Sequence, residues 1–170
     1  FAPHRPDAIV NAAAYTAVDQ AEKEPELASA VNGAGAGAVA RAAKALGVPV
    51  VQISTDYVFD GAKPSPYVET DPVGPMGAYG RSKLAGEEAV AAATDDHAIL
   101  RTAWVYAAEG RNFVRTMLRL AAERPEIAVV SDQRGCPSYA PDLAAATVRV
   151  ARALVERPEN GELRGIFHMS

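Results

Sequence analysis

A phenol, an ammonium and a hydroxyl are spaced in this chain as proton chemistry would need them. Tyr79-Gly80-Arg81-Ser82-Lys83 sets Tyr79 and Lys83 four residues apart, which puts both on one face of a helix. An isolated phenol ionises near pH ~10, and each unit of lowering is worth about 1.4 kcal/mol. A neighbouring ammonium favours the phenolate, so Lys83 is expected to lower the Tyr79 pKa towards neutrality. Upstream, the apolar run Val48-Pro49-Val50-Val51-Gln52-Ile53 leads into Ser54-Thr55-Asp56. A hydroxyl at that strand end could reach the same reacting oxygen, whereas the plainer reading of Thr55 is a residue capping a turn. Carbonyl reduction or alcohol oxidation with a nicotinamide cofactor is the chemistry these groups suit.

Alternating elements must position them. Ala8 to Val10 reads as a strand, Val18 to Val31 as a helix with acids at its favourable end and Pro25 in a first turn or at a break. Ala36 to Leu46 follows as a helix ended by Gly47, then the strand Val48 to Ser54. Pro64, Pro66, Pro72 and Pro75 make the next stretch a loop. Ala78 to Ala93 is a helix, Ala98 to Arg101 a strand, and Asn112 to Glu123 a helix with apolar residues at helical spacing. Ile127 to Val130 reads as a strand, Pro141 to Val155 as a helix and Gly165 to His168 as a last strand. This alternation implies an α/β fold with a doubly wound parallel sheet, Rossmann-like. Ligands of such sheets bind outside the carboxyl ends of the strands, where Thr55 would sit. A change of pattern after Tyr106 divides the chain into 1–106, a partial dinucleotide-binding portion, and 107–170, part of a smaller substrate-binding region.

Composition narrows the function classes. The 170 residues are 49% hydrophobic with a net charge of −4, which gives no electrostatic footprint for nucleic acid or anionic membrane. No apolar run approaches a membrane span. A single cysteine, Cys136, excludes an intrachain disulfide framework and fits a reducing, cytoplasmic setting. His4, His97 and His168 show no metal-ligand spacing, so no catalytic metal is expected. They read as surface or satisfied structural residues.

Six stretches, in order, resemble the extended short-chain dehydrogenase/reductase superfamily and, within it, the dTDP-4-dehydrorhamnose reductase family. They are Val10-Asn11-Ala12-Ala13-Ala14-Tyr15-Thr16-Ala17-Val18-Asp19, Ser54 to Gly61, Tyr79 to Lys83, Arg101 to Tyr106, Arg111 to Val114, and Asp132 to Ser138. One departure stands out. The glycine-rich turn that binds a cofactor pyrophosphate in this superfamily is not in the sequence, because Gly33-Ala34-Gly35-Ala36-Gly37 follows a helical stretch rather than a strand. Small residues there suit close helix–sheet packing. The chain therefore reads as an internal piece, short of the first βαβ portion and of a C-terminal tail.

The resemblance implies reduction of a nucleotide-sugar ketone at C4 by NADPH or NADH. In it, Tyr79 donates the proton, Lys83 lowers its pKa and holds the nicotinamide ribose, and Thr55 holds the carbonyl oxygen. It carries cofactor contacts onto Ala13, Ala14, Tyr15 and Thr16, with Ile53 beneath; a tight turn needing small residues is the alternative for the alanines. Asp56 and Trp104 are the positions it implies for the sugar, with plain core as the lesser alternative for the chain's one Trp. Asn112, Phe113, Arg134, Pro137 and Ser138 would line the dTDP side, with Phe113 either stacking on a base or packing in a helical stripe. Dehydratases of the superfamily carry an Asp-Glu pair after the catalytic Thr. Here Tyr57 follows Asp56, which favours simple reduction. The resemblance leaves open another nucleotide-sugar reductase or epimerase, a non-catalytic regulatory subunit, and a homodimer.

Overall fold

The computed structural model describes residues 5–170, so His4 lies outside the described residues. Six strands run along the described residues: β1 (Ile9–Asn11), β2 (Val50–Thr55), β3 (His97–Thr102), β4 (Val105–Tyr106), β5 (Ser138–Tyr139) and β6 (Gly165–His168). Four of them form a parallel sheet in the order β1-β2-β3-β6, while β4 and β5 pair with each other in a second, two-stranded sheet. The helices are α1 (Val18–Ala21), α2 (Pro25–Ser29), α3 (Ala36–Leu46), α4 (Ala78–Ala93), α5 (Phe113–Glu123) and α6 (Ala140–Glu156). Of the stretch 107–170, the residues from Ala140 onward return to the main sheet as α6 and β6.

Both faces of the sheet are covered, which is why its strands read as continuous apolar runs. Ile9, Val50 and Ile99 pack against Ala36, Ala40 and Ala43 of α3 and Val90 of α4. Val51, Ala98 and Leu100 point the other way, onto Leu154 of α6 with Val150 and Ala151 beside it. Successive side chains of a strand face opposite layers, so β2 serves both cores at once.

Pro25 is the first residue of α2, and that helix passes through a six-residue π-helical stretch, Ala30–Gly35, directly into α3. The small residues here serve both contacts: Ala36 packs on the sheet as expected, while Gly33 and Gly37 face α4. A Cβ built on Gly37 lies 3.0 Å from Ala89 Cβ of α4, and one on Gly86 would collide with the Asn32 carbonyl oxygen. Gly47, at φ 68°, ends α3 in the left-handed conformation and donates its N–H to Lys44 O, a cap that favours glycine.

Ile127 to Val130 is not a strand. Its backbone finds no neighbouring strand among the described residues, and Val129 and Val130 are exposed. β-branched composition makes a segment suited to a sheet, but a ladder needs a partner. The strands of the second sheet, two residues each, were in turn not anticipated.

Candidate active site

The carboxyl end of β2 and the first turns of α4 meet where Thr55 was expected to sit. The first N–H of α4, on Ala78, donates to Glu22 Oε1 at 2.6 Å, a carboxylate at the positive end of the helix. From there Tyr79 and Lys83 project from one face. The Tyr79 ring meets Tyr57 edge-on, with centroids 5.6 Å apart. Lys83 is almost fully buried and donates from Nζ to the Ile53 carbonyl at 2.7 Å. An ammonium has three donors, so two remain for hydroxyls of a ligand.

The proton equilibria differ from the expectation in one respect. The Tyr79 phenol is pushed up, not down: burial is the main cause, Asp56 and Tyr57 add to it, and only the Thr55 hydroxyl pulls it back. Lys83 is not among the groups acting on it. Lys83 itself is lowered to about 8, because burial disfavours its charge more than Glu87 restores it. At neutral pH the pair is therefore a protonated phenol beside an ammonium near its own titration point. Thr55 takes the capping reading. Its Oγ1 accepts the Tyr57 N–H at 3.2 Å, capping the short turn Asp56–Val58, and donates to Asp56 Oδ1 at 3.1 Å. Burial raises the Asp56 pKa, against the Thr55 and backbone hydrogen bonds.

The end of β1 lies along the same edge of the sheet. Ala13 and Thr16 are exposed, while Ala14 and Tyr15 are half-buried. The Ala13 N–H is held by Asn11 Oδ1 at 3.3 Å, and Asn11 Nδ2 donates to Gln52 Oε1 at 2.7 Å. Tyr15 is bracketed by Asn32, which accepts its N–H at 2.8 Å, donates to its carbonyl at 3.0 Å, and donates to Ser82 Oγ of α4 at 2.9 Å. The Tyr15 hydroxyl donates to Glu24 at 2.6 Å. Small residues thus leave the backbone at the end of β1 open beside Ile53 and Lys83, which fits a flat nicotinamide and its ribose.

The remaining expected residues form a more open group. Trp104 is 42% exposed and adopts φ 43°, a left-handed conformation unusual for a bulky side chain. Its ring lies on the Gly135 backbone, where a Cβ would come within 2.5 Å of Trp104 Cε2, and its carbonyl accepts the Ser138 N–H at 3.2 Å. The indole is therefore not core. Ser138 is buried, with Oγ on the Cys136 carbonyl at 3.3 Å, whereas Arg134, Pro137 and Cys136 are exposed. Asn112 is the N-cap of α5: its Oδ1 accepts the Arg115 N–H at 3.0 Å and its Nδ2 donates to Ala107 O at 2.8 Å. Phe113 is exposed and lines an apolar groove with Val114, Met117, Leu118 and Ile127; it is not core.

Two further side chains bear on the site and were not anticipated. Glu87 lies one turn beyond Lys83, so its spacing was readable, but its partners Ser54 and Arg101 are brought together only by the sheet. Asn32 sits inside an Ala- and Gly-rich stretch with no local signal for its bracketing role. His97 Nδ1 lies 2.7 Å from the Thr94 carbonyl, and the His168 N–H is held by Glu69 at 2.9 Å. The His168 Nε2, however, is buried without a partner, so that residue is not fully satisfied as expected. Among the described residues there is no metal-ligating cluster, and no helix is long and apolar enough to cross a membrane.

A family model described as the RmlD substrate binding domain matches residues 1–170. A dTDP-4-dehydrorhamnose reductase of Sinorhizobium fredii is 58% identical over 165 residues, covering 97% of this chain and 55% of the relative. One of Escherichia coli K12 is 48% identical, covering 97% and 54%. The crystal structure of dTDP-4-dehydrorhamnose reductase from Bacillus anthracis in complex with NADP superposes with a TM-score of 0.86 at 46% identity, over 98% of this chain and 56% of that one. The chain thus spans about half the length of the relatives it matches.

Proposed function

Since the chain belongs to the RmlD substrate binding domain family, we propose that the full-length protein reduces the C4 ketone of dTDP-4-dehydro-L-rhamnose to dTDP-L-rhamnose. The observation that carries this reading is the meeting of Tyr79, Lys83 and Thr55 at one strand end, beside the open backbone of Ala13 and Ala14. NADPH or NADH, bound along that edge, supplies the hydride.

The chain's own groups do the rest. Burial keeps Tyr79 protonated at neutral pH, which suits a group that must give a proton to a developing alkoxide rather than take one. Thr55 donates its one O–H to Asp56, so that bond is exchanged for one to the ketone oxygen when the sugar enters. Lys83 is fixed by Ile53 O and offers its two remaining N–H groups to ribose hydroxyls and the phenol side of the site. Proton transfer of this kind contributes roughly 10²–10⁴-fold in rate. Asp56 and the exposed Trp104 face supply a carboxylate acceptor and a flat apolar surface for the sugar. Arg134, Pro137, Ser138, Asn112 and Phe113 are assigned to the dTDP side, with the Asn112 backbone as its contribution, because its side chain is spent on the cap.

The test is NAD(P)H oxidation by the full-length protein given freshly generated dTDP-4-dehydro-L-rhamnose. Turnover that falls ~10²–10⁴-fold in Tyr79→Phe, with nucleotide-sugar binding retained, supports the reading. Binding without turnover in the unaltered protein would turn it towards a regulatory subunit, and turnover with a different nucleotide sugar towards another reductase of the superfamily.

A further inference from the structure

We propose that Glu87, clamped by Ser54 and Arg101, is a positioning residue that sets the charge and placement of Lys83. The inference rests on the proposed reaction for its purpose but on packing for its content.

Three residues of α4, each one turn from the next, are matched to three consecutive residues of β2. Tyr79 meets Thr55, Lys83 Nζ donates to the Ile53 carbonyl at 2.7 Å, and Glu87 Oε1 accepts from Ser54 Oγ at 2.5 Å. Glu87 is held on its other side by Arg101 of β3, whose Nε reaches Oε1 at 2.9 Å and whose Nη2 reaches Oε2 at 2.6 Å. Both side chains are 3% exposed. A bidentate pair of that kind fixes direction as well as distance. Arg101 is a neighbour of Ser54 across the sheet, so the clamp ties the helix to two strands at once. It leaves α4 no freedom to slide along β2, and Tyr79 and Lys83 stay opposite Thr55 and Ile53.

The carboxylate also favours the ammonium through space, without an ion pair to it. Residues four apart on a helix are neighbours, and Glu87 is the one charge that favours the protonated form of Lys83. The other titratable or charged groups around α4 are Tyr79 and the exposed Arg81 and Glu88 on the helix, Asp56 and Tyr57 in the turn after β2, Arg101 on β3, and Glu22 and Glu24 near α1 and α2. Glu22 is engaged with the start of α4, Glu24 with Tyr15, and Arg101 with Glu87 itself. Without Glu87, burial would act on Lys83 unopposed and the ammonium would be lost at lower pH.

The experiment is competitive labelling of the full-length protein with a trace amine-reactive acylating reagent from pH 6 to 11, reading Lys83 by mass spectrometry. Glu87→Gln is expected to move the Lys83 midpoint, about 8 in the unaltered protein, down by about one pH unit, roughly a fivefold rise in neutral amine at pH 7. Because that variant strands the Arg101 charge and could fail to fold, Glu87→Gln/Arg101→Met removes both charges and must show a downward shift as well. Glu87→Asp keeps the charge and is expected to hold the midpoint within a few tenths of a unit. A midpoint unchanged in the double variant, or restored there after a shift in the single one, would overturn the proposal, since a shift caused only by the stranded Arg101 charge predicts that restoration. Labelling reads the proton whether or not a ketone is reduced, so failure of the proposed reaction leaves this result standing.

Discussion

The junction of β2 with α4 and the segment from Trp104 to Tyr139 are built on opposite terms. At the junction charged groups are buried and paired, Lys83 with Ile53 and Glu87 with Ser54 and Arg101, although Arg101 Nη1 is left without a partner. In the later segment α5 buries no residue, and Phe113, Leu118 and Val130 are exposed. The first region can place a proton within a fraction of an ångström because neither element can move alone. The second offers apolar and flat surface, such as Trp104, on a backbone tied down by a pair of two-residue strands. The residues proposed for proton chemistry sit on the tightly packed part, and those proposed for recognition, Asp56 apart, sit on the sparsely packed one.

Substitutions should separate the two regions by size of effect, measured as unfolding free energy of the full-length protein in urea. Arg101→Met, which leaves the Glu87 carboxylate buried without its cation, is expected to cost about 3–5 kcal/mol. A smaller loss would mean that water reaches the clamp.

The next effect is a pH dependence. The folded pKa of Lys83, about 8, lies below the ~10.4 of an unfolded lysine. The unfolded chain therefore holds more protons between those values, and stability rises with pH across that window. Relative to Lys83→Met, the unaltered protein should gain up to about 3 kcal/mol between pH 8 and pH 10.5. Turnover should run the other way, falling as pH passes 8 and the ammonium is lost. A flat difference between the two proteins would place Lys83 in water.

Gly86→Ala adds a methyl against the Asn32 carbonyl oxygen. Overpacking of that kind costs about 1–3 kcal/mol, despite the better helix propensity of alanine. Leu118→Ser, on the exposed face of α5, should change stability by no more than about 0.5 kcal/mol. A loss comparable to that of Gly86→Ala would show that α5 is covered in the full-length protein, and the contrast between the regions would shrink accordingly.

What could be read from the sequence follows the same division. Tyr79, Lys83 and Thr55 were legible because helix spacing and a strand end are local properties. The parallel sheet was legible because its strands, covered on both faces, are unbroken apolar runs bounded by turn residues such as Gly47. The direction of the Tyr79 shift was not, since burial by neighbours distant in sequence raises it and the ammonium one turn away does not act on it. Ile127 to Val130 carries the composition of a strand, yet pairing depends on what lies alongside it. The bridge between Val105–Tyr106 and Ser138–Tyr139 is too short to leave a periodic pattern. Asn112 just before an apolar helical stripe is a recognisable N-cap signal; the resemblance drew attention to a ligand instead.

The π-helical stretch Ala30–Gly35 has an arithmetic of its own. Each turn there holds one residue more than an α-helix needs, so the chain from α2 to α3 contains a surplus that local hydrogen bonding alone would discard. The surplus turns Asn32 inward, where a regular helix would present a different residue to Tyr15 and Ser82. A length change of one residue in this stretch therefore does not act like one in a loop. It re-phases α3 by about 100° against the glycine contacts of α4, and the helix most comfortable by itself would be the wrong one for the site.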